Sequence, residues 1–131
     1  HKKIQNWVKA LLHMYRKNPC LYELDNKWGG FEWINADDRE RSIFSFVRKS
    51  KDEKNNLLFV INFTPVARDD YRVGVPESKT YKLVLNSEDP QFGGNDTDRP
   101  VSYRAQKKPM DGRDYSIAYP LPAYGVAVFK Y

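Results

Sequence analysis
The apolar positions change period near residue 20. Ile4, Trp7, Val8, Leu11, Leu12 and Tyr15 recur at i, i+3, i+4, i+7, i+8 and i+11, a single stripe at the helical period. Arg16 and Lys17 suit the negative end of a helix dipole. Asn18-Pro19 stops the helix, because Asn accepts the left-handed cap and Pro cannot continue the ladder. A stripe carrying Trp7 and Tyr15 needs a surface. Either the helix folds onto the rest of the chain or it is the cut end of a larger protein.

From Leu21 onward the punctuation is β-type. Leu57, Leu58, Phe59, Val60 and Ile61 form an unbroken apolar run, which predicts a central strand covered on both faces. Pro65 cannot donate to a ladder and ends it. Arg68, Asp69 and Asp70 read as a solvated turn, after which residues 71–75 alternate until Pro76. Residues 31–34 read as a short strand or loop, 42–48 as a strong strand and 49–56 as a hairpin loop. Further strands are predicted at 71–75, 80–85, 101–104, 116–121 and 126–131, with turns at Gly29-Gly30, at 93–96 and at 111–113. Short strands at intervals of about 8–12 residues predict an all-β chain, an antiparallel β-sandwich of Greek-key type preceded by one α-helix.

Composition narrows the function classes. A chain of 131 residues is one domain, or one domain with an attached helix. No apolar run approaches the roughly 20 residues that cross a bilayer, and the N-terminus lacks the pattern of a signal peptide. The single cysteine, Cys20, makes no internal disulfide and no cysteine-based zinc cage, which points to a reducing, cytoplasmic setting. A net charge of +5 permits an acidic partner. However, Arg39, Arg41, Arg48, Lys49 and Lys51 alternate with Asp37, Asp38, Glu40, Asp52 and Glu53. That is a mixed solvated surface, so neither nucleic acid nor membrane is expected as a partner.

Candidate chemistry is sparse. His13 lies opposite the helix stripe with no second histidine in reach, and Cys20 reads as a small buried hydrophobe. The carboxylate pairs Asp37-Asp38, Asp69-Asp70 and Glu88-Asp89 read as turns rather than paired acids. Gly93-Gly94 lacks the flanking strand, helix and lysine of a phosphate loop. No catalytic residue, metal or cofactor is expected. Aromatics, 15% of the chain, are the informative excess. Most should be core. Trp28 and Trp33 beside Gly29-Gly30, and Tyr71 after Asp70, are candidates for exposure. Exposed aromatic faces stack on sugar rings or nucleobases. For Trp28 and Tyr71 a capping role is preferred; for Trp33 the two readings balance.

The blocks "YRKNPCLYELD" (15–25), "GFEWINADD" (30–38), "ERSIFSFVRK" (40–49), "NFTPVARDDYRVGVP" (62–76), "FGG" (92–94) and "DGRDYSIAYPLPAYGVAVF" (111–129) stand in an informative order. From about Trp7 to the end, the chain resembles the C-terminal region of the glycogen branching enzymes (1,4-alpha-glucan branching enzymes) of the alpha-amylase superfamily. The resemblance implies a last barrel helix and linker over 1–25 and an all-β sandwich over 26–131, the sandwich proper from Ile43 onward. It implies a parent enzyme that cleaves an α-1,4 linkage and transfers the chain to a 6-hydroxyl, in glycogen biosynthesis. The family's catalytic motifs are missing. Gly30-Phe31-Glu32-Trp33 begins like one of them but has Glu32 where an Arg belongs. The chain alone should be inactive. Its implied partners are α-glucan and the catalytic barrel of the same protein, with self-association through the helix stripe once that barrel is missing. Trp33 is the first candidate for a sugar platform, with Phe31 and Trp28 as neighbours. The alternatives are an autonomous carbohydrate-binding module and a basic β-domain for single-stranded nucleic acid.

Overall fold
The computed structural model describes residues 2–24, 28–38, 42–51, 54–96 and 98–131, the side chains at 28, 37 and 38 excepted. Helix α1 (Lys2–Lys17) is followed by strands β1 (Phe31–Asp38), β2 (Ile43–Arg48), β3 (Leu57–Asn62), β4 (Arg68–Val75), β5 (Thr80–Asn86), β6 (Ser102–Arg104), β7 (Tyr115–Leu121) and β8 (Val126–Lys130). Short 3₁₀ turns occupy Pro19–Leu21, Trp28–Gly30 and Pro90–Phe92. Six strands form one sheet in the order β1-β2-β3-β8-β5-β6, and β4 pairs with β7 in a second. The pairings are antiparallel throughout. The chain is therefore all-β with one N-terminal helix, as the apolar pattern predicts. No helix among the described residues is long and apolar enough to cross a membrane.

The main core lies between the two sheets. Val73 and Val75 of β4 and Ile117, Tyr119 and Leu121 of β7 meet Ile43, Val47, Leu58, Val60 and Phe129 of the large sheet. Tyr119 presents its ring edge-on to Phe129, with centroids 5.0 Å apart, a favoured aromatic geometry. Strand β3 is central, between β2 and β8. Leu58 and Val60 enter the main core, while Leu57 and Phe59 meet a second cluster on the opposite face. The unbroken apolar run is thus a strand covered on both sides. Asn62 terminates it: its Nδ2 donates to the carbonyls of Val66 and Pro122, and its Oδ1 accepts from Thr64 N. This is an Asx turn stitched to the β7–β8 connection.

Several expectations need correction. Arg68, Asp69 and Asp70 are strand, not turn, because β4 starts at Arg68 opposite Leu121 and absorbs a register shift before Tyr71. The side chains of Asp69 and Asp70 are exposed there, so their solvation is as the sequence suggests and their backbone conformation is not. Strand β1 is longer than a short strand or loop. It runs eight residues through Asp37 and Asp38, where the carboxylate pair suggests a turn, and pairs with β2 across two irregularities. The sheet therefore begins at Phe31, ahead of Ile43. Tyr71, by contrast, is only 4% exposed and belongs to the core, in line with the capping role preferred for it over exposure.

The helix packs on the outer face of the large sheet. Trp7, Ala10, Leu11 and Met14 close over Cys20, Leu57, Leu85 and Val128. Trp7 meets Phe92 edge-on at 4.9 Å, and Lys3 Nζ and Asn6 Nδ2 donate to the carbonyls of Pro90 and Gln91. Only Trp7 and Leu11 of the expected stripe are engaged. Ile4, Val8, Leu12 and Tyr15 stay exposed on the neighbouring flank. The helix thus folds onto the rest of the chain, one of the two alternatives the stripe left open, but with its contact face rotated toward Ala10 and Met14.

Candidate functional site
Strand alternation builds an aromatic band on the outer face of the large sheet. On β2, Ile43, Ser45 and Val47 are buried toward the core, so Phe44 and Phe46 point the other way and are only half-buried. Phe46 lies parallel to Phe59 of β3, with centroids 4.8 Å apart. From β1, Phe31 stacks on Phe46 at 5.1 Å, and Trp33 touches Phe31 and Phe46 edge-on at 5.2 and 5.7 Å. Phe44 and Phe63 form a second pair at 5.6 Å. Phe59 also packs against the cluster beneath α1. The band therefore runs from under the helix outward to Trp33 on the edge strand, where 50% of the tryptophan faces solvent.

Polar contacts hold this edge in place. Glu32 accepts from Lys49 Nζ at 2.7 Å and from Arg113 Nη2 at 2.5 Å, and the same Arg113 nitrogen donates to the carbonyl of Trp33. Burial resists ionisation of Glu32, but hydrogen bonds from Lys49 and Arg113 outweigh it and hold the carboxyl below its usual range. Asn35 donates to Asp111, whose other oxygen accepts from Gly74 N in β4. Arg48 reaches the carbonyls of Gly30 and Leu21, tying the segment that leads into β1 to β2. A half-exposed aromatic on a strand so braced can offer a flat apolar face without an ordering cost at the moment of contact.

Of the sequence candidates, Trp33 and Phe31 come together on this band. The side chain of Trp28 lies outside the described residues. Phe46 and Phe59 complete the band, although the sequence marks them simply as strand residues. Their signal is present, since Ile43, Phe44, Phe46 and Val47 put apolar side chains on both faces of one strand, but a two-sided strand does not say which side stays open. Cys20 is fully buried, and burial, partly opposed by Arg48, pushes its thiol up to about 11. It is therefore protonated and unreactive at neutral pH. His13 is exposed. Among the described residues, no three His, Cys, Asp or Glu side chains converge in a manner that could hold a metal ion.

The described geometry agrees with known relatives. The model of the alpha amylase C-terminal all-beta domain matches residues 33–131. A 1,4-alpha-glucan branching enzyme GlgB of Butyrivibrio fibrisolvens is 47% identical over 131 residues, covering all of this chain and 20% of the relative. Those of Halothermothrix orenii and Aquifex aeolicus are 43% and 39% identical over 99% and 100% of this chain, which covers 21% of each. The chain thus spans about a fifth of the length of these relatives, matching their C-terminal domain. The crystal structure of isomaltulose synthase from Erwinia rhapontici superposes with a TM-score of 0.55 at 16% identity, covering 95% of this chain and 17% of that one. That likeness speaks for the fold alone. The chain belongs to the family of alpha amylase C-terminal all-beta domains.

Proposed function
We propose that this chain is the C-terminal accessory domain of a 1,4-alpha-glucan branching enzyme, a cytoplasmic glycosyltransferase of glycogen biosynthesis that makes α-1,6 branches by transferring an α-1,4-glucan chain. The identity to named branching enzymes over the whole chain supports this. Catalysis belongs to the barrel of the parent, and the domain serves it in two ways. Residues 1–25 carry the helix and linker that join barrel and sandwich, and the exposed flank Ile4, Val8, Leu12 and Tyr15 packs against the barrel. An apolar flank of that width beside a half-open aromatic band is the type of surface that a larger body covers.

The second service is to hold glucan. The carrying observation is Trp33, half exposed at the sheet edge yet wedged against Phe31 and Phe46. Glucose rings present flat C–H faces that stack on such a surface. Trp28 is the third candidate member of this platform. Titration of the chain with a maltooligosaccharide, followed by tryptophan fluorescence, tests the reading. We expect saturable binding that weakens by roughly fivefold or more in Trp33→Ala, the equivalent of about 1 kcal/mol of aromatic contact, with an unchanged circular dichroism spectrum. Absence of binding to the intact chain would overturn the glucan-holding role and leave Trp33 as packing toward the barrel.

A further inference from the structure
The other flank of α1 borders a different kind of surface. A cleft of about 320 Å³ lies between the helix and the outer face of β5 and β8, large enough for a small ligand. Its floor is apolar, with Val84, Leu85 and Phe92, and its walls carry Lys17 and His13 from the helix and Lys130 from β8. Among the described residues, no carboxylate lines it.

The charges are placed against their own interest. Lys82 stands directly opposite Lys130 in the β5–β8 register, so both project from one face of the sheet. Like charges so paired repel, and among the described residues neither takes part in an ion pair. Asp89 and Asp96 line an adjoining recess that shares Val84 and Leu85 with the cleft. There Asp89 caps the turn at Pro90–Phe92 by accepting from Gln91 N, and Asp96 is held by Arg99 and Asn86. A basic cleft with an apolar floor and no internal counter-charge is complementary to an anion carrying an uncharged body.

We propose that this cleft binds a small organic phosphate monoester, its phosphate between Lys17 and Lys130 with Lys82 at the rim, and its body on Phe92 and Val84. The site lies on the opposite flank of α1 from the apolar stripe and does not depend on the glucan reading. Calorimetric titration of the chain at low salt with glucose 6-phosphate, inorganic phosphate and glucose tests it. The sugar phosphate is expected to bind saturably and more tightly than inorganic phosphate, with glucose silent. Lys17→Gln/Lys130→Gln is expected to weaken it by about tenfold or more, as loss of charge-assisted hydrogen bonds requires, while Lys107→Gln/Lys108→Gln leaves it unchanged. The proposal fails if no saturable binding is seen, if inorganic phosphate binds as tightly as the ester, or if the Lys17/Lys130 variant binds like the parent.

Discussion

Single buried hydroxyls show how much depends on whether a polar atom finds a partner. Tyr81, fully buried, donates its hydroxyl to the carbonyl of Glu77 at 2.8 Å and accepts from Glu77 N at 3.2 Å. Ser45, 1% exposed on the core side of β2, has a hydroxyl without a hydrogen-bond partner. The two invite opposite outcomes. Tyr81→Phe strands the groups at Glu77 and should destabilise the fold by about 1–2 kcal/mol. Ser45→Ala removes an unsatisfied group and should be neutral or stabilising by up to about 1 kcal/mol. Urea denaturation of both variants checks the pair, and a loss of stability in Ser45→Ala would mean that this hydroxyl is satisfied. Neither fate is readable from the residues, since a Tyr and a Ser in alternating strands carry no mark of what lies across the core.

At the scale of elements, β1 illustrates how an edge strand is secured. Its pairing with β2 is irregular, and side chains from beyond the sheet supply the rest: Arg113 and Lys49 on Glu32, Asp111 on Asn35. The Glu32 carboxyl is depressed below 4.5, burial being overcome by its two cationic partners. Asp96 is depressed too, chiefly by its hydrogen bond from Arg99 against the cost of burial. A carboxyl with a lowered folded-state value binds its proton more readily in the unfolded chain. The contribution of Glu32 is therefore present above its ordinary value near 4.5, and that of Asp96 above its ordinary value near 3.8, each being lost as pH falls through the folded value. Thermal midpoints should be level near neutrality and decline on acidification below about 4.5. Glu32→Gln/Asp96→Asn should flatten that decline; an unchanged slope would assign it to other carboxylates. The turn expected at Arg68, Asp69 and Asp70 fails at this scale for a related reason. Charged residues on an exposed strand face look like a turn until the partner strand, β7, is known.

For the molecule as a whole, α1 divides two surfaces. One flank holds the basic cleft; the other extends the apolar ground that continues through Phe59 and Phe46 to Trp33. Without a larger body over that ground, copies of the chain should pair through it. Sedimentation should show concentration-dependent self-association that Val8→Ser/Leu12→Ser abolishes. Both residues are about half exposed, so the stability of the fold should change little. If the unsubstituted chain stays monomeric at all concentrations, this expectation is wrong.

Local pattern determined much of this. The helix and the position of its stop before Pro19, the two-sided central strand, most strand positions and the family blocks come from periods of 3.6 and 2 and from where Pro and Gly interrupt them, which the chain carries residue by residue. The left-handed cap expected at Asn18 is not formed: Asn18 is extended, with φ −119°, the backbone that a following proline favours. Trp33 stands out in the sequence as an aromatic in a turn-rich stretch, where exposure and a capping role balance. Other features required long-range assembly. The sequence stripe does not say that α1 would rotate to seat Trp7, Ala10, Leu11 and Met14 and leave Ile4, Val8 and Leu12 open, since that depends on the shape of the sheet beneath. Nor does it say that Phe46 and Phe59 would extend the aromatic band from Trp33, or that Lys82 and Lys130, far apart along the chain, would face each other. Periodicity is a property of neighbours along the chain. Which face is covered, and which charges meet, is settled only when distant strands choose their register.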